Sequence, residues 1–227
     1  MKIAVQQRIL SANDAVATEN RRRLDGAGVL AVNLMASPGA GKTSLILATA
    51  ARLPYGMRPG VIEGDLASRI DADKVAAHGI PVTQINTGGG CHLDAPMVRS
   101  ALDQLPLADI SVLFIENVGN LVCPAEFDLG AHLAAVVASS PEGHDKPYKY
   151  PGIFARADVV ILNKSDLLGV FEFDLPGFQQ GVRLVNPDAP VFVLSCRTGE
   201  GLDAWLEWLL ERRSPRHVPG QAARPGG

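Results

Sequence analysis

Ser37-Pro38-Gly39-Ala40-Gly41-Lys42-Thr43 constrains this chain more than any other segment. An apolar run, Val29–Met35, precedes it, and a second, Ser44-Leu45-Ile46-Leu47-Ala48, follows. Strand, glycine loop and helix in that order are what a phosphate-binding loop requires. Glycines let backbone N–H groups approach phosphate oxygens, and the new helix turns its positive end toward them. On this reading Pro38, Gly39, Ala40, Gly41, Lys42, Thr43 and Ser44 cradle a nucleotide. Lys42 reaches the β/γ-phosphates as a catalytic charge, and the Thr43 hydroxyl binds Mg²⁺. The pattern G-x-x-x-x-G-K-[ST] is met except at its first position, where Ala36 stands for Gly.

A second motif selects the base. Asn163-Lys164-Ser165-Asp166 follows Val159–Leu162, a short apolar run that reads as a buried parallel strand. It fits N-K-x-D, the guanine-reading motif of GTPases. A carboxylate only accepts hydrogen bonds, so Asp166 can take two from guanine N1–H and the exocyclic amine. Adenine offers no such donor pair, and a site built on these bonds rejects an analogue by roughly 10⁴. The expected ligand is therefore GTP or GDP.

The 227 residues and 47% hydrophobic content supply one sizeable domain. A net charge of −3 gives no electrostatic case for nucleic acid or an anionic membrane. No run is long and apolar enough to span a bilayer, and Met1–Gln7 lacks the apolar core of a signal peptide. Three cysteines do not make a disulfide framework, and a reducing cytoplasm is the expected setting.

Strands are expected at Val29–Met35, Gly60–Glu63, Pro81–Asn86, Ile110–Glu116, Ala131–Ala138, Asp158–Asn163 and Val191–Ser195. Helices are expected at Thr43–Arg52, Asp71–His78, Asp94–Gln104, Leu175–Val185 and Leu202–Glu211. This alternation predicts an α/β fold with a mostly parallel sheet covered on both faces. Residues 1–28 form a helical extension, helix-prone from Asn13 to Asp25; residues 29–213 form the nucleotide-binding domain. The Pro-, Gly- and Arg-rich stretch 214–227 reads as disordered.

Cys91-His92 follows Gly88-Gly89-Gly90, and Cys123 follows Glu116 by seven residues. Thiolate and imidazole suit Zn²⁺ and Ni²⁺. Spacing alone leaves open that these are buried small hydrophobes. Cys91 and Cys123 both fall just past the C-terminal ends of expected strands, where open α/β sheets hold ligands.

Gly89-Gly90-Cys91-His92-Leu93-Asp94 and Glu116-Asn117-Val118-Gly119-Asn120-Leu121-Val122-Cys123-Pro124 resemble the HypB family. These are GTPases that assist nickel insertion into nickel-iron hydrogenases. Supporting segments are Glu63-Gly64-Asp65, Asp145–Pro151 and Ser195–Leu202, and the resemblance runs from about Ala12 to Leu210. It implies a P-loop GTPase of the branch that dimerises face to face with nucleotide bound. It implies Ni²⁺ or Zn²⁺ on Cys91, His92 and Cys123 at that interface. Asp65 and Glu116 match acidic residues near Mg²⁺, and Ser195 and Cys196 match the loop behind the guanine. Asp71 lies in the switch segment, where it either positions Mg²⁺ or the attacking water or merely caps a helix. A nickel-donor accessory protein and a hydrogenase large subunit are the implied partners. With no obvious internal arginine finger, turnover is expected at roughly 10⁻⁴–10⁻² s⁻¹.

Two features seen in some family members, an N-terminal cysteine motif and a histidine-rich stretch, do not occur here. No Cys precedes Cys91 and no His precedes His78, so nickel handling is expected at the interface site. Two other readings stand beside this one. One is a related metallochaperone for urease or a cobalamin enzyme, which the missing Cys-Pro-His motif disfavours. The other is a GTP-binding switch whose cysteines are structural.

Overall fold

The structure, a computed structural model, describes residues 2–65 and 68–213. The expectation for the tail 214–227 lies outside the described residues. Seven strands form one sheet in the order β3-β2-β4-β1-β5-β6-β7, every neighbouring pair parallel. They are β1 Leu30–Ala36, β2 Pro59–Asp65, β3 Val82–Asn86, β4 Val112–Glu116, β5 Leu133–Ser139, β6 Val159–Asn163 and β7 Val191–Val193. The helices are α1 Lys2–Ala27, α2 Lys42–Ala50, α3 Ile70–Ala77, α4 Ala95–Leu102, α5 Lys146–Lys149, α6 Pro151–Ala155, α7 Leu175–Val185 and α8 Leu202–Arg213. All seven expected strands and all five expected helices form, with ends shifted by a few residues. The two short helices α5 and α6 carry no periodic signal that the sequence reading used.

Burial on both faces explains why the strands read as continuous apolar runs. Along β1, Leu30, Val32, Leu34 and Ala36 pack with Leu45, Ile46, Trp205 and Leu209 on one side. Ala31 turns to the other face, where it packs with Leu24, Val98 and Leu102. Met35 joins a third cluster with Phe154, Phe178 and Val182 beneath α6 and α7. Trp205 is fully enclosed, and its indole N–H donates to Thr49 Oγ1 at 2.9 Å, so its polar end is satisfied.

Helix α1 is longer than the expected Asn13–Asp25. Asn13, Ala17, Asn20 and Leu24 form its buried stripe. Half of that stripe is polar because it binds backbone rather than core. Asn13 Nδ2 donates to the Asp128 carbonyl at 2.8 Å, and Asn13 Oδ1 accepts from Ala95 N–H at 2.8 Å. Asn20 Nδ2 donates to the carbonyls of Ala95 (2.9 Å) and Leu129 (3.1 Å). Arg21 donates to the carbonyls of Gly130 and Ala131. Gly130 permits this contact: its φ is +82°, and a Cβ there would lie 2.4 Å from the Ala17 carbonyl oxygen. Gly130→Ala should therefore destabilise the protein by about 2–4 kcal/mol. Gly26→Ala, with nothing within 4 Å of the new Cβ, should be neutral or slightly stabilising. Denaturant unfolding of both variants checks this.

With all strands parallel, their C-terminal ends share one edge. The last residues of β2, β4 and β6 (Asp65, Glu116 and Asn163), the loops after β1, β3, β4, β6 and β7, and the first turns of α2 and α3 carry the residues that the sequence singled out for chemistry. No helix among the described residues is long and apolar enough to cross a membrane.

Candidate functional site

Helix α2 starts without a side-chain cap, its N-cap Gly41 left-handed at φ +103°. Its first N–H groups thus face a cavity of about 520 Å³ rather than a protein acceptor. Pro38, Gly39, Lys42, Thr43 and Ser44 line this cavity from the loop side, and Ala40 is buried beneath. Glu63, Asp65, Asp71, Lys74, Glu116 and Lys164 also line it. Asp71 is in the first turn of α3 rather than at its cap, and it pairs with Lys74 at 2.9 Å. The capping alternative for Asp71 is thereby removed.

Two carboxylates occupy the floor. Glu63 and Glu116 stand in register on neighbouring strands. Glu116 Oε1 accepts from the Thr43 hydroxyl at 3.0 Å and lies 3.9 Å from Lys42 Nζ. One oxygen of each glutamate, Oε2, is buried without a hydrogen-bond partner. Burial, then repulsion from Glu116, Asp65 and Asp71, pushes Glu63 up to about 8, with Lys42 pulling the other way. Burial likewise pushes Glu116 up to about 7, against Lys42 and the Thr43 hydroxyl. Orphaned carboxylate oxygens beside a hydroxyl are hard donors, and they fit a Mg²⁺ ion held with phosphate.

A second cavity, about 440 Å³, meets the first at Ser44 and Lys164. Asn163, Asp166, Ser195, Cys196 and Arg197 line it. Asn163 Nδ2 donates to the Ala40 carbonyl at 3.0 Å, while its Oδ1 accepts from the N–H groups of Lys164 and Cys196. One side chain thus joins the loop after β1, the Asn163–Asp166 segment and the loop after β7. Lys164, left-handed at φ +61°, sends Nζ to the Gly39 carbonyl at 2.7 Å. Asp166 accepts from the Ser195 hydroxyl at 2.5 Å and from Arg197 Nε at 2.8 Å. The Ser195 bond first, then Arg197, lowers its pKa, so it is ionised. Cys196 is half-buried, and burial pushes its thiol up to about 11.

The third grouping lies past β3 and β4. Thr87 locks the glycine turn by donating from Oγ1 to the Gly90 carbonyl at 2.8 Å. Gly88 and Gly89 take φ of +60° and +100°, and Cys91-His92 then emerge exposed or half-buried. The ligand atoms of Cys91, His92 and Cys123 lie within 4.8 Å of one another. Among the described residues this is the one group of three or more such side chains so disposed, and Cys196 is not in it. A hydrogen bond with Cys91 is the main cause raising the Cys123 pKa, and a metal bound there would displace the thiol proton.

Several residues here were not singled out from the sequence. Phe127 stacks on the His92 ring at 4.0 Å between centroids. Lys74 faces the phosphate cavity, Arg197 binds Asp166, and Asn117 sits buried between the first and third groupings. The Glu63-Gly64-Asp65 segment was noted, yet Glu63 itself was given no role.

The CobW/HypB/UreG nucleotide-binding domain matches residues 30–193. The hydrogenase maturation factor HypB of Azotobacter chroococcum mcd 1 is 47% identical over 214 residues, which is 94% of this chain and 70% of that one. This chain belongs to the HypB family of hydrogenase maturation factors. The crystal structure of HypB from Helicobacter pylori in complex with nickel is similar, with a TM-score of 0.85 and 39% identity. That likeness covers 89% of this chain and 95% of the other. HypB from Archaeoglobus fulgidus gives 0.84 and 37%, covering 90% and 100%. The fold is thus that of a P-loop nucleotide hydrolase with an all-parallel sheet.

Proposed function

We propose that this HypB-family chain is a GTPase that gates nickel delivery during nickel-iron hydrogenase maturation. The convergence of Cys91, His92 and Cys123 within 4.8 Å, with Cys123 on the loop whose first residues Asn117–Gly119 line the phosphate cavity, carries this reading. A soft thiolate–imidazole triad at the surface suits Ni²⁺ or Zn²⁺ as cargo and leaves it coordinatively unsaturated. A second copy of the chain supplies the remaining ligands in a GTP-dependent homodimer. Val122 and Ile70, exposed large side chains beside Cys123 and Asp71, give that face apolar area to bury.

In the catalytic cycle Pro38–Ser44 hold the phosphates, and Asn163, Lys164 and Asp166, with Ser195 and Cys196 behind, select guanine. Thr43, Asp65 and Glu116 would hold Mg²⁺, which neutralises charge on the phosphates when bound. Asp71 orients the attacking water, Lys42 stabilises charge that develops on the leaving oxygens, and hydrolysis is slow without an arginine finger. Loss of γ-phosphate contacts relaxes the segments that carry the metal ligands, and the metal passes to an acceptor. The nickel-donor accessory protein and the hydrogenase large subunit complete the path, in the cytoplasm.

The test is competition for Ni²⁺ and Zn²⁺ against a calibrated chelator, with GDP or a non-hydrolysable GTP analogue, with dimer fraction recorded in the same samples. Stoichiometric metal, nucleotide-dependent affinity and its loss in Cys91→Ala are expected. Guanine binding without metal in either state would leave a plain GTP switch and overturn the reading.

A further inference from the structure

The side chain of Asn117 follows Glu116 directly, is 1% exposed, and forms part of the phosphate-cavity wall. Its Oδ1 accepts two backbone N–H groups. One is Leu93, immediately after His92, at 3.1 Å; the other is Val118, at 3.0 Å. Its Nδ2 donates to Asn33 Oδ1 on β1 at 3.2 Å. Asn33 thus fixes which way the amide faces, and both acceptor positions of Oδ1 are used.

Those two N–H groups belong to different sites. Val118 leads into Gly119, which packs on the phosphate loop so tightly that a Cβ there would lie 2.9 Å from Pro38 Cγ and 3.0 Å from its backbone. Leu93 is fully buried and closes the Cys91–His92 loop; a Cβ at Gly64, on the strand leading to Asp65, would meet it at 2.8 Å. Any shift of residues 118–119 with nucleotide therefore moves an amide on the same oxygen that holds the residue after His92. A buried oxygen cannot release one N–H without either losing the bond or drawing the other partner along.

We propose that Asn117 is the positioning residue through which the nucleotide site and the Cys91–His92–Cys123 site sense each other. The inference rests on the metal reading above, and its test separates the two. Asn120 connects the same loops differently: its Nδ2 donates to the Cys91 carbonyl at 3.3 Å and its Oδ1 accepts from Val122 N–H. It does not line the phosphate cavity and serves as the control.

Ni²⁺ affinity is measured with GDP and with a non-hydrolysable GTP analogue in the full chain and its variants. The unaltered protein should show an affinity ratio of about tenfold between nucleotides, within the usual span of coupling between sites. Asn117→Ala should bring that ratio to within about twofold while still binding both Ni²⁺ and GDP. Asn120→Ala should weaken Ni²⁺ equally in both states and leave the ratio intact. Asn33→Ala, which frees the Asn117 amide to turn, should reduce the ratio partway. Hydrogen exchange on the unaltered protein gives a reading that needs no variant: protection of the Leu93 and Val118 amides should change together between nucleotides. A ratio unchanged in Asn117→Ala, or Leu93 protection indifferent to nucleotide, overturns the inference and leaves the metal reading standing. Absence of Ni²⁺ binding by the unaltered protein overturns both.

Discussion

Asp166→Asn should lower GTP affinity by about 10³–10⁴ and turn the preference toward xanthosine triphosphate. The wall of the base cavity dictates the direction. Asp166 is ionised and holds its oxygens in place through Ser195 on one side and Arg197 on the other. Each oxygen still has a lone-pair direction left for guanine N1–H and the exocyclic amine. In asparagine one oxygen becomes an NH₂ donor facing the guanine amine, so an attraction becomes a clash of donors. Xanthine has a carbonyl where guanine has the amine, and it restores the pair. Fluorescent-nucleotide titration against guanine, xanthine and adenine triphosphates reads the switch directly. Unchanged GTP affinity, or equal loss for all three bases, would show that Asp166 does not read the base.

The same variant separates the two halves of the nucleotide site. Asn163 ties the base motif to the phosphate loop through the Ala40 carbonyl, and Asp166→Asn leaves that tie in place. Phosphate-dependent behaviour should therefore survive once xanthosine triphosphate is supplied.

How much of this was legible depended on whether the information was local. The phosphate loop and N-K-x-D are each contiguous, and each follows a strand whose apolar run is unmistakable, so their positions in the fold could be read directly. The convergence of Cys91, His92 and Cys123 is tertiary. It depends on β3, β2 and β4 lying side by side, and spacing alone left structural cysteines open; the family resemblance supplied the grouping. Asn117 gave no local signal, because its meaning lies in accepting N–H groups from residues 93 and 118 at once. Phe127 was equally silent, since a phenylalanine after Cys123 reads as core until the ring is found on His92. The start of α1 was placed too late for a related reason. Its buried stripe alternates Asn13, Ala17, Asn20 and Leu24, so hydrophobic periodicity fades where side chains serve backbone carbonyls of another loop.

Between pH 5.5 and 8 the nucleotide-free protein should lose stability as pH rises, and Glu63 should account for most of the loss. Its folded pKa stands near 8 against an ordinary 4.5. Below 4.5 the folded and unfolded chains both hold the proton. Above that the unfolded chain sheds it and the folded one keeps it, so unfolding becomes easier with every step of pH until about 8, where the full cost is reached. Discounted for the water that the open cavity admits, the Glu63 share is about 3 kcal/mol, or about 6–12 °C in melting temperature for a chain of this size. Glu116, raised to about 7, steepens the lower part of the same window. Asp145 and Asp166, whose pKa values are lowered, act with the opposite sign but below their ordinary 3.8, outside this range. Glu63→Gln should therefore flatten the slope and melt higher than the unaltered protein at pH 8. Saturating Mg²⁺ and GTP should flatten it too, because a dication beside Glu116 and Asp65 favours the charged carboxylates. Thermal melts at pH 5.5, 7 and 8 decide the matter: a stability that rises with pH, or a slope that Glu63→Gln leaves unchanged, would mean that folding does not raise the Glu63 pKa.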